Sequence, residues 1–240
     1  MNQKLQAKDL KPRLDSLIVS AETINPALTA KLRQIKTWVK NTKPGSLMKK
    51  KELLSFLIEL IKDVEFWLDL SQLESDEYEL FINELNPTDR YWYTTLFPWW
   101  FEQYDPKFTT WKKKLMAGEF LAKDSQFLKL VSDNIKKRGG SVLIRYICDL
   151  SMATDLMVSG IEGKPLSVQL TVTNESLLDT KKTNWTHTVQ LWQIERAIFI
   201  SYNPTSKTGK QLEIINRLCN YILDLAKTLP DSCYIEGSID

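Results

Sequence analysis

Three residues in the second half of the chain have types and spacing that could do chemistry. Asp155 opens the run Leu156-Met157-Val158, and Gln169 and Thr171 stand two apart in a second run, Leu166 to Val172. Residues two apart on a strand share one face of the sheet, so Gln169 and Thr171 point the same way. Their neighbours Leu166, Val168, Leu170 and Val172 are apolar, so the polar side chains must be met by solvent or by partners. A polar groove would meet them, and it would offer one anionic oxygen from Asp155 and a neutral carbonyl oxygen from Gln169. Asp155 also has a structural role open to it, because an Asp at a strand start bonds nearby backbone amides.

A hairpin has to bring these residues together, and the sequence supplies its parts. Asp155–Ser159 and Pro165–Thr173 read as strands, joined by the turn Gly160-Ile161-Glu162-Gly163-Lys164. Ahead of them Asp124 to Lys137 reads as an amphipathic helix stopped by Arg138-Gly139-Gly140, and Ser141 to Leu150 reads as a buried strand. Behind them come a helical stretch from Glu175 to Glu195, a strand Ala197–Tyr202 and a last helix Gly209–Leu229. The order is helix, three strands, helix, strand, helix, an α/β (α+β) arrangement over residues 121–240.

That order, with an Asp at the start of the second strand and a polar-x-polar pair on the third, resembles the PD-(D/E)XK nuclease superfamily over about residues 123–203. The resemblance implies a restriction-endonuclease-like α-β-β-β-α-β core. It further implies magnesium held by carboxylates on two strands, and a Lys that orients or deprotonates the attacking water. Residue by residue, Asp155 matches the first carboxylate, Gln169 occupies the second acidic position and Thr171 the Lys position. Asp155 and Gln169 would then be the metal ligands, and the lack of charge on Gln169 would weaken the hold on magnesium. Some members carry the Lys on the following helix, which gives Lys181 and Lys182 that role. Lys164, in the turn, is a poorer choice. Glu175, just past the third strand, and Asp124 and Asp133, on the preceding helix, are acids that could make good the missing carboxylate.

Two functions follow from the resemblance. One is a nucleic-acid-engaging protein, with DNA or RNA as partner, that when active is a magnesium-dependent endonuclease hydrolysing phosphodiester bonds. The other is a catalytically inactive nuclease-like fold that serves as a protein interaction or assembly module, since fold alone does not fix function.

Residues 1–120 read as a helical region. Apolar residues recur at spacings of three and four, as in Leu28, Leu32, Ile35, Val39 and Leu54, Leu57, Ile61, Val64, Leu68. Breaks at Asn25-Pro26, Lys43-Pro44-Gly45-Ser46 and Asn86-Pro87-Thr88-Asp89 divide it into roughly four helices, with Ser46 or Thr88 able to cap the next. Tyr91, Trp92, Tyr93, Phe97, Trp99, Trp100, Phe101 and Tyr104 crowd one stretch. They suit packing against the rest of the chain better than an exposed platform for stacking bases.

Net charge is only +2, but it is unevenly spread. Residues 1–60 hold more than twice as many Lys and Arg as Asp and Glu, whereas in 61–120 acids outnumber bases two to one. A basic segment of this kind either forms an ordinary solvated face or attracts a phosphate backbone. No signal-peptide core and no apolar stretch free of charges appears, so the expectation is an intracellular, cytoplasmic chain with no membrane association. Cys148, Cys219 and Cys233 are odd in number and far apart, as reduced thiols would be. The segment Thr205-Ser206-Lys207-Thr208-Gly209-Lys210-Gln211 fails as a phosphate loop, with Pro204 in place of the first Gly and Gln211 in place of Ser or Thr. His187 is the one His, and without a nucleophile partner it reads as a surface or helix-packing residue.

Overall fold

A computed structural model describes residues 5–40, 42–117, 122–160, 163–172, 175–203 and 208–239. The chain divides into two units, Met1–Glu84 with Tyr93–Phe120, and Leu85–Trp92 with Leu121–Asp240.

The first unit is helical among its described residues: α1 (Leu10–Glu22), α2 (Pro26–Val39), α3 (Pro44–Lys49), α4 (Lys51–Ser71), α5 (Ser75–Glu84), α7 (Phe97–Glu102) and α8 (Phe108–Ala117). These helices are shorter and more numerous than the four expected. The breaks fall at the Pro-containing dipeptides, but the caps differ. Asn25 accepts from Leu28 N–H at 2.9 Å with Pro26 at the first helical position, while Ser46 lies inside α3. Proline prefers that first position, which makes the residue before it the cap.

The aromatic stretch is core. Phe97 stacks on Trp100 with centroids 6.0 Å apart, Phe101 meets Trp67 edge-on at 5.0 Å, and Tyr93 lies 4.2 Å from Phe66. Only Tyr104 of this run is strongly exposed, so the buried rings provide no stacking surface. Lys31 enters this core over the Trp100 ring and donates to Gln103 O at 3.0 Å; burial pushes its amine down, and Asp105 partly offsets that.

The second unit is mixed α/β. Its elements are α6 (Pro87–Tyr91), α9 (Ala122–Lys137), β1 (Ser141–Leu143), α10 (Tyr146–Met152), β2 (Leu156–Ser159), β3 (Leu166–Val172), α11 (Glu175–Leu191), β4 (Arg196–Tyr202), α12 (Thr208–Thr228) and β5 (Cys233–Ile239). Helix α6 opens with Pro87 capped by Asn86, which puts Thr88 inside it rather than at its cap. The five strands pair in chain order, β1-β2-β3-β4-β5. The pairs β1/β2 and β2/β3 are antiparallel; β3/β4 and β4/β5 are parallel. A five-residue π-helical turn, Trp92–Leu96, carries the chain from α6 back into the first unit.

Two expectations need correction. Ser141 to Leu150 is not one strand: β1 stops at Leu143 and α10 begins at Tyr146. Ile147, Cys148, Ser151 and Met152 are the buried residues of that segment, a spacing only a helix produces, and a short apolar run cannot be told apart by composition. The chain also makes a fifth strand, β5, that the sequence reading left out.

One sheet face is apolar. Val131 and Ile135 of α9, with Ile215, Leu218, Cys219 and Ile222 of α12, bury Leu156, Val158, Val168, Ile198 and Ile200. Each such fully buried aliphatic residue contributes about 1.5–3 kcal/mol. Gly140, just past α9, fits because it has no side chain. A Cβ there would meet Ile135 Cγ2 at 2.7 Å, Leu223 Cδ2 at 2.9 Å and Ser159 O at 3.1 Å. Gly140→Ala is therefore expected to cost on the order of 1 kcal/mol in a denaturant melt. Gly45→Ala in α3, with nothing within 4 Å of its Cβ, should be neutral or gain up to about 1 kcal/mol.

Candidate functional site

The opposite face of the sheet is mixed, with Met157, Ala197 and Phe199 buried and polar rows beyond them. Its register aligns Gln169 with Phe199 and Glu236 in one row, and Thr171 with Ser201 and Ser238 in the next, across β3, β4 and β5. Aligned residues share a face, and here α11 lies over it, with Trp185 5.6 Å from Phe199 and 6.4 Å from Tyr234. About one turn before Trp185, Lys181 and Lys182 overlie the polar rows.

Local structure delivers Asp155 to this face. Helix α10 ends at Ala153 in the left-handed region (φ 50°), and Thr154 N–H turns back to Cys148 O at 3.0 Å. Asp155 therefore precedes β2 rather than opening it, and its N–H donates to Val168 O at 2.9 Å. The β2–β3 ladder stops at Leu156↔Val168 because the chain has left for α10. Past that point Leu170 N–H finds Asp155 Oδ2 at 2.6 Å, and the same oxygen accepts the Gln169 amide at 2.8 Å.

Four of the residues singled out by sequence thus meet. Asp155 touches Gln169, and Lys181 Nζ donates to Thr171 Oγ1 at 3.1 Å. Lys182 turns to Glu236 at 2.7 Å, and that bond holds its amine above the usual lysine value. Lys164 is elsewhere, bound to Asp231 at 2.7 Å and Glu195 at 3.1 Å. Asp133 is exposed on α9, whose packing is to the other sheet face, so it cannot complete this site. The side chains of Asp124 and Glu175, and residues 204–207 of the failed phosphate loop, lie outside what the structure describes. His187 is exposed on α11, and the three cysteines are free thiols.

Glu236 escaped the sequence reading together with β5. The alternation Tyr234, Glu236, Ser238 against Ile235 and Ile239, following Pro230-Asp231, was the available signal.

Magnesium fits this arrangement poorly. A divalent cation seeks hard oxygen donors, commonly one or two carboxylates. Here Asp155 Oδ2 already accepts two N–H groups, one of them from the Gln169 amide, and the amine of Lys181 is directed to Thr171. Among the described residues no group of three or more His, Cys, Asp or Glu converges to hold a metal.

No family model matches the sequence of this chain, no curated protein is similar to it, and no solved structure matches its fold. Among the described residues no helix is long and apolar enough to cross a membrane.

Proposed function

We propose that the second unit is a nuclease-like core that engages nucleic acid without cutting it. The succession α9, β1, β2, β3, α11, β4 is in keeping with the α-β-β-β-α-β order of the PD-(D/E)XK superfamily, with α10 as an insertion. The polar rows lie toward the C-terminal ends of the parallel strands β3, β4 and β5, where α/β sheets bind their ligands.

The observation that carries the non-hydrolytic reading is the state of Asp155. Its Oδ2 closes the end of the β2–β3 ladder by accepting Leu170 N–H and the Gln169 amide, which is structural work. Among the described residues no second carboxylate joins Asp155 in this cluster to supply the charge that activates water in a metal-dependent phosphodiesterase.

One contact favours hydrolysis instead. Lys181 reaches Thr171, so an amine stands beside the position at which the superfamily carries its Lys. The two readings separate in one experiment, in which purified protein is mixed with labelled single- and double-stranded DNA and RNA in magnesium or manganese. The expected result is binding that weakens steeply with salt, and no cleavage above the protein-free control. Cleavage abolished by Lys181→Met would establish the endonuclease reading. Absent or salt-insensitive binding would favour a protein interaction module.

A further inference from the structure

We propose that the nucleic-acid backbone is held by a lysine-rich end of the first unit, formed where α3, the start of α4 and α8 meet. This rests on the reading that the chain engages nucleic acid, and it assigns the contact to residues outside the nuclease-like core.

The lysines come from distant parts of the sequence and are gathered by packing. Trp111 of α8 lies 5.3 Å from Phe56 of α4 and 5.6 Å from Trp38 of α2, so three helices converge on one aromatic cluster. Beside it, Lys50 at the start of α4 donates to Met116 O near the end of α8. That contact brings Lys43, Lys49 and Lys51 to the same end of the unit as Lys112, Lys113 and Lys114. Lys112 is half-buried and the other five are exposed.

What sets these six apart from the paired cations of α1 and α2 is the company they keep. Arg13 pairs with Glu65, Arg33 with Glu22 and Lys36 with Asp15, so three of the cations along α1 and α2 are neutralised within the fold. Among the described residues, none of the six lysines pairs with a carboxylate. Glu52, next to Lys51, is the acid that accompanies them in sequence. A cluster of uncompensated ammonium groups is complementary to the regularly spaced charges of a phosphodiester backbone, and counterion release makes each contact favourable. Lysine binds phosphate as a point charge with no demand for base identity, so this surface should hold DNA or RNA without reading sequence.

The test uses the full chain carrying Lys49→Gln, Lys51→Gln, Lys112→Gln, Lys113→Gln and Lys114→Gln together. A companion variant changes Lys129, Lys136 and Lys137 of α9 to Gln as a control for general loss of charge. Fluorescence anisotropy with a labelled DNA duplex and an RNA of matching sequence is followed across salt concentrations. The five-fold variant should melt like the parent, lose at least about tenfold in affinity, and show a salt slope on duplex DNA shallower by up to about 4.5, at about 0.9 per lost contact. The α9 variant should stay within about twofold of the parent. Unchanged affinity and slope in the five-fold variant, or an equal loss in the α9 variant, would overturn the assignment and leave the nuclease-like reading standing. No binding by the parent chain would overturn both. Lysine-dependent binding accompanied by cleavage would support this surface and overturn the non-hydrolytic reading.

Discussion

Replacing Arg196 with Met is expected to lower the unfolding free energy by about 3 kcal/mol, the largest loss anticipated for any single change considered. Arg196 is only 4% exposed, at the start of β4, with its guanidinium directed to the α12 side of the sheet. Its Nη1 donates to Lys164 O at 2.6 Å, and its Nη2 donates to Leu225 O at 3.0 Å and Ala226 O at 2.8 Å. Leu225 O also accepts Leu229 N–H at 2.9 Å, whereas Ala226 O is among the last carbonyls, which find no partner within a helix, so Arg196 helps to cap the C-terminal end of α12. It also ties in the residue that leads from the hairpin turn into β3. Methionine would fill the space but leave these acceptors without a charged donor, at roughly 1.5–3 kcal/mol each. The full sum is not expected, because burial already pushes the guanidinium below its usual value and removing it returns that desolvation cost. Arg196→Lys should recover only part, since an ammonium cannot span three carbonyls in the way a planar fork does. A loss under about 1 kcal/mol in chemical denaturation would mean that water replaces the cap.

Asp155→Ala should cost about 2 kcal/mol and should speed hydrogen exchange at the Leu170 amide more than at neighbouring amides of β3. The reason is the missing backbone partner at the end of the β2–β3 ladder, which the carboxylate replaces. Asp155→Asn keeps an acceptor for Leu170 and should lose about half as much. A carboxylate kept for catalysis behaves differently, because its removal leaves the melt nearly unchanged. If Asp155→Ala melts like the parent and Leu170 stays protected, the structural assignment fails and the metal-site reading regains its main residue.

Much of the second unit was legible because periodicity and turn chemistry agree there. The helix stopped by Gly139, the hairpin strands, β4 and α12 all lie within a few residues of where spacing puts them. The pairs Asp155–Gln169 and Thr171–Lys181 were legible too, since period-two alternation fixes a face and nearly two turns of α11 bring Lys181 back to β3. Their use was not. Whether Asp155 binds a cation or an amide depends on where β2 ends, and that is set by α10, which the run from Ser141 to Leu150 conceals. The roles of Arg196 and Glu236 were hidden for a related reason, because their partners at 225–226 and 182 are remote in sequence. The aromatic stretch showed the opposite pattern, its ring density alone giving away a core.

The excursion of residues 85–92 into the second unit has a kinetic consequence. The chain leaves the first unit after Glu84 and rejoins it at Tyr93, so neither unit is one uninterrupted piece of sequence. Helix α6 contacts β1 and β2, yet it is synthesised before any strand exists and must wait for that sheet. No single cut releases both units whole: ending the first at residue 84 strips it of α7 and α8, and starting the second at residue 121 strips it of α6.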